Sequence, residues 1–165
     1  MRWSTKNICY MAVLLAAQIV LSRFCSFSVW NMKIGLAFIP VVICAILFGP
    51  WSAAIVSALG DFLGSVLFPI GPYFPGFTVT AFFSGLIWGL LHKKQTTARI
   101  ILSVLLNQVL CSLLLNSLWI SVLYTSPFVP LLATRAVQCA VMGPAQFLII
   151  LLLRRPLAEL CRRVG

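Results

Sequence analysis

FPIGPYFPGFTVT, residues Phe68 to Thr80, divides two long apolar runs and carries three prolines, two glycines and four aromatic residues. Proline lacks the backbone donor a helix needs, and Pro/Gly pairs mark turns, so a helix ends before this stretch and another starts within it. The run upstream, Trp51–Leu67, and the run downstream, Pro75–Leu91, are each 17 residues long. A helix needs about 20 residues to cross a bilayer. The connector between them is stiff and aromatic where a loop in water would be polar. It is suited to lie over something flat and apolar.

The rest of the chain fits a lipid setting. Of 165 residues, 62% are apolar and 8% charged, against about 45–50% and about 25% in soluble domains. The net charge is +10. Such a balance in a soluble domain suggests nucleic acid. Here the cations sit at the ends of apolar runs instead of forming a stripe, so no nucleic-acid partner is expected. Six scattered cysteines with no CxxC pair, and His92 as the only histidine, give no zinc or redox motif. No metal and no cofactor is expected, and His92, between an apolar end and two lysines, is read as solvated. Arg2 and Lys6 precede an apolar run as in a signal peptide, but no small-x-small cleavage pattern follows, so a retained first span is expected.

Backbone groups in lipid must be satisfied within each segment, so the spans are helices. The reading is an all-α membrane protein in a single domain over residues 1–165. Its six helices fall at about 6–22, 34–48, 51–67, 75–91, 99–124 and 129–153. The second is interrupted by Pro40, and the third is rich in small residues that admit close neighbours. Residues Arg23 to Lys33 read as a loop. Six spans place both termini on one side, together with nine cations at positions 2, 6, 93, 94, 99, 154, 155, 162 and 163. Arg23 and Lys33 stand on the other side, so the first side is cytoplasmic and the Phe68–Thr80 stretch faces outward.

Polar residues gather under that outer surface. At ~1.5 Å per residue, Asp61 lies about 10 Å, Arg135 about 9 Å and Asn116 about 12 Å below the outer helix ends. Asn116 shares a helix face with Trp119, and Arg135 with Gln138, at i, i+3. Ionisable groups inside a membrane usually mark function. Two readings follow: Asp61 and Arg135 pair structurally, or the layer is the polar floor of an aromatic small-molecule pocket. Arg23 and Lys33 at the mouth, with no acid nearby, favour an anionic ligand. On the first helix, Ala12 and Ala16 form a smooth i, i+4 patch that serves internal packing or a partner equally well. No GxxxxGK[ST], HExxH, GxSxG or carboxylate pair is present, so the chain offers no nucleotide site and no enzyme chemistry. Uphill transport then needs an outside source of energy.

The run from Lys33 to Gly49, KIGLAFIPVVICAILFG, then GPWSAAIVSALGDFLGSVLFP and IGPYFPGFTVTAFFSGLIWGLL resembles the S components of energy-coupling factor (ECF) vitamin transporters, above all the folate-specific ones. Six short helices and the AxxxA of the first helix also match. The resemblance implies a bacterial cytoplasmic-membrane protein that captures folate from outside. It implies partners, a transmembrane T protein and two ATPases, with Ala12 and Ala16 as the docking patch and toppling in the membrane as the release step. A folate site needs stacking faces (Trp30, Tyr73, Phe74, Phe77, Trp119), an amide- or carboxylate-lined edge (Asn116, Gln138, Asp61) and cations for the glutamate tail (Arg135, Arg23, Lys33). Thr78, which closes the YFPGFT run, joins these candidates. The Phe68–Thr80 stretch becomes the gate. Alternatives are another heterocyclic vitamin such as riboflavin or biotin, or a structural membrane protein without ligand.

Overall fold

The computed structural model describes residues 5–24, 26–29, 32–69, 73–92, 95–124 and 128–164. Six helical rods make the bundle. They are α1 (Thr5–Arg23), α2 (Phe38–Phe48), α3 (Pro50–Leu67), α4 (Pro75–Trp88, closed by a 3-10 turn Gly89–Leu91), a composite fifth rod and α7 (Phe128–Val164). The fifth rod joins α5 (Thr97–Leu106), a π-helical stretch Asn107–Leu115 and α6 (Asn116–Tyr124). Among the described residues, four helical stretches are long and apolar enough to cross a membrane, and α2 and α4 are shorter apolar helices.

Local chemistry explains most boundaries. Pro50 and Pro75 start α3 and α4 at the first helical position, where a missing N–H is not needed and the fixed φ fits a helix. Gly49 joins α2 to α3 at φ 91° and ψ −179°, a positive-φ conformation open essentially to glycine alone and costing other residues about 1–3 kcal/mol. Its N–H donates to Ala45 O at 3.1 Å. His92 is exposed, yet its Nδ1 lies 3.0 Å from Ile46 O, and its ring packs over Gly49. It therefore fastens the α2–α3 turn and is not merely solvated.

Three boundaries depart from the sequence reading. The second helix starts at Phe38 instead of residue 34. Pro40 thus falls in its first turn, where it interrupts nothing. The segment read as a loop forms a hairpin, β1 (Ser26–Val29) antiparallel to β2 (Met32–Gly35), with Ser28 opposite Lys33. The last helix continues to Val164, eleven residues past the expected end at 153.

The two ends of the bundle differ. At the end that holds the Gly49 turn and Leu91, α2, α3, α4, α5 and α7 pack a dense core of Val42, Cys44, Ala45, Ala53, Trp88, Leu91, Ile100 and Ile150. The tightest seam is between α3 and α4. A Cβ on Gly85 would lie 2.6 Å from Ala53 O and Ala54 Cα, and one on Gly89 would run into Pro50. Side chains such as Val13, Val66, Leu105, Val137 and Leu152 point outward, as expected where the solvent is lipid. Toward the opposite end, where the hairpin and Phe68, Tyr73 and Phe74 lie, the rods part around a cavity.

Candidate functional site

The cavity has a volume of about 550 Å³, within the range of ~300–1,000 Å³ usual for small-molecule sites. Every rod contributes to its wall, and Gly35, at the end of β2, joins them.

The α1–α3 side is a polar seam. Two small residues of α3 make room for long side chains of α1. Gly60 faces the Gln18 amide, with a Cβ position 2.6 Å from its Cδ, and Gly64 faces the Arg23 guanidinium at 3.1 Å. Gln18 Nε2 donates to Ser57 O at 3.2 Å, and Arg23 Nη2 to Ser65 Oγ at 3.3 Å. Gln18 Oε1 and Arg23 Nε, both buried, have no partner among the described residues. Gln18 and Arg23 both line the cavity, while these two atoms are shut off from it inside the α1–α3 seam.

The aromatic mouth is built by the stretch that divides the two central helices. Tyr73, Phe74 and Phe77 line the cavity. Phe74 and Phe77 meet edge to face at 6.2 Å, and Tyr73 meets Phe62 of α3 the same way at 5.8 Å. Thr78 Oγ1 donates to Asp61 Oδ2 at 3.1 Å, which leaves Tyr73 OH as the donor to Thr78, also at 3.1 Å. Asp61 lines the cavity and also ties α3 to α4 beneath Tyr73. Thr78 and Trp119 stand behind the wall instead of in it. The Trp119 indole packs on Phe74 at 5.5 Å, fills the space a side chain on Gly76 would need, and donates to Thr80 Oγ1 at 2.9 Å. Gly76 is therefore required by the indole above it.

The far wall holds Asn116, Arg135 and Gln138. Arg135 is 7% exposed and donates from Nη1 to Ser112 O at 3.0 Å. Trp30 falls outside the described residues, and of Lys33 only the strand position is described. Sequence reasoning put the polar groups in one layer. The structure continues them downward with Asn107, Gln108 and Gln146. Asn107 and Ser84 of α4 exchange two hydrogen bonds, at 2.9 and 3.1 Å, and Gln108 Nε2 donates to Gln146 Oε1 at 3.0 Å. Below them Trp88 stacks on Phe38 at 6.2 Å and closes the floor. The site is thus graded, with aromatic rings and arginines above, neutral amides below, and an aromatic base.

Comparisons with known proteins agree with this architecture. A family model described as "ECF-type riboflavin transporter, S component" matches residues 2–163. The chain is 39% identical over 143 residues to the folate transporter FolT of Clostridium novyi (strain NT), covering 86% of this chain and 83% of that protein. It is 31% identical over 91 residues to the folate transporter FolT of Leuconostoc mesenteroides subsp. mesenteroides, 55% of this chain and 49% of that one. A crystal structure of FolT bound with folic acid superposes with a TM-score of 0.86 at 37% identity, covering 91% of this chain and 93% of that one. The S component for biotin from an ECF-type transporter superposes at a TM-score of 0.67 with 16% identity, over 93% and 95% of the two chains; that likeness speaks for the fold alone.

Proposed function

Because this chain belongs to the S components of ECF-type transporters, we propose that it captures folate in its outer cavity and passes it inward through an energised partner module. It is a multi-pass protein of the bacterial cytoplasmic membrane. The carrying observation is the graded cavity. A pterin is flat and neutral, with a dense donor–acceptor edge, and the glutamate tail is dianionic. Burying charge costs far more than burying hydrogen-bonded neutral groups. The pterin therefore goes down among Gln18, Asn107, Gln108 and Gln146, between aromatic rings. The tail stays higher, at Arg23 and Arg135.

Riboflavin, named by the matching family model, is the competing reading. It has no carboxylate, and two cavity arginines would then face a neutral ligand. Calorimetry of the purified chain against folate, riboflavin and biotin decides between them. Folate is expected to bind with the highest affinity; tight binding of another vitamin without folate binding would refute the assignment.

The cation-rich loops and both termini then face the cytoplasm, and the T protein and two ATPases supply the energy. Ala12 and Ala16 fit the docking role, since both are exposed on α1 and no described residue covers them. Ala16→Trp is expected to leave folate affinity within about twofold while lowering ATP-driven uptake about tenfold or more, because a bulky side chain prevents close helix approach. Uptake by vesicles carrying the whole transporter, beside calorimetry of the single chain, provides both readings.

A further inference from the structure

Asn107 and Asn116 line the same cavity although nine residues separate them. In an α-helix each residue advances about 100°, so nine residues put them on opposite faces. The stretch between them is π-helical, with Asn116 N–H returning to Cys111 O across five residues. At about 4.4 residues per turn, nine residues make two turns and bring the two asparagines back to one face. Cys111 and Ser112, one turn along, line the same cavity.

A π stretch of nine residues is long, since most are single-turn bulges inside α-helices. This one is braced from α7. Cys139 Sγ donates to Gln108 O at 3.5 Å and Arg135 Nη1 to Ser112 O at 3.0 Å. The donors are four residues apart on α7, and so are the acceptors on the π stretch. Each carbonyl oxygen has a second lone pair to offer. Cys139 is half-buried and lies outside the cavity wall.

We infer that Cys139 is a positioning residue, which together with Arg135 holds Asn107–Leu115 in the π form that turns its polar residues onto the cavity. Only the ligand used in the test rests on the proposed function. Cys139→Val removes the donor at similar volume, and Cys139→Ser restores one. Backbone amide exchange over residues 107–116, measured without ligand, is expected to quicken about five- to tenfold in the valine variant and to stay near wild type in the serine variant. Folate affinity should fall by a similar factor in the first and recover in the second. Equal exchange in all three proteins overturns the inference. A wild-type chain that binds no folate while the exchange pattern holds sinks the functional reading alone. Deleting lipid-facing Leu110 tests the register itself. Folate binding should fall about a hundredfold and recover when an alanine inserted between Leu113 and Leu114 restores the spacing. A folded deletion variant that binds as wild type overturns the inference, and if the deletion does not fold, the Cys139 pair decides.

Discussion

Arg135→Ala is expected to weaken folate binding by about 2–4 kcal/mol, roughly thirty- to thousandfold, because a guanidinium–carboxylate pair in a largely buried wall combines charge with two aligned hydrogen bonds. The residue is 7% exposed and faces the cavity between Ser112 and Gln138. Two measurements separate its charge from its bracing of the π stretch. Titrated with a pterin that lacks the glutamate, the variant should lose about tenfold or less. Titrated with folate, it should lose the full amount. Equal losses for both would show that Arg135 acts by holding the helix and that the tail lies elsewhere. Unchanged folate affinity would remove it from the site.

Gly85→Leu is expected to prevent folding outright. A Cβ at this position meets backbone, Ala53 O and Ala54 Cα at 2.6 Å, and backbone cannot rotate away as a side chain can. Overpacking a core usually costs about 1–3 kcal/mol; a forced separation of α3 from α4 exceeds that and approaches the entire stability of ~5–15 kcal/mol. The protein should be missing from the monodisperse peak after detergent extraction. Gly143 is the control, as its Cβ position on α7 has nothing within 4 Å. Gly143→Ala should extract normally and gain up to about 1 kcal/mol from helix propensity. Normal extraction of Gly85→Leu would contradict the close crossing of α3 and α4.

The sequence revealed the bundle because its hydrophobic runs are long and Gly49-Pro50 and Pro75 mark where one helix gives way to the next. It also revealed the small-residue α3 and the aromatic mouth, since glycine spacing and ring content survive without coordinates. It concealed the hairpin. Ser26–Val29 and Met32–Gly35 are four residues each, too short for alternation to stand out among flanking aromatics and cations. It also concealed the lower half of the site. Asn107 and Gln108 stand in plain view, but counting at 3.6 residues per turn sends Asn107 away from Asn116, and nothing in NQVLCSLLL announces a π-helix. Gln18 and Gln146 are hidden for a plainer reason: one amide in an apolar run has no partner until the fold supplies Ser57 and Gln108.

The graded lining has a consequence for how a vitamin enters. A cavity of about 550 Å³, walled by amides and arginines, is wet when empty, with room for on the order of twenty waters at ~30 Å³ each. Capture is therefore an exchange. Waters along the rings leave at a gain, and their release gives the negative heat-capacity change of apolar burial. Waters on Asn107, Asn116 and Gln146, half-buried amides of the cavity wall, must be replaced bond for bond. A heterocycle with the wrong edge would meet no clash on entry; it would leave dry amides behind it, at about 1–3 kcal/mol each. Selectivity then resides in rehydration, and a poor ligand is expelled by the water it failed to replace.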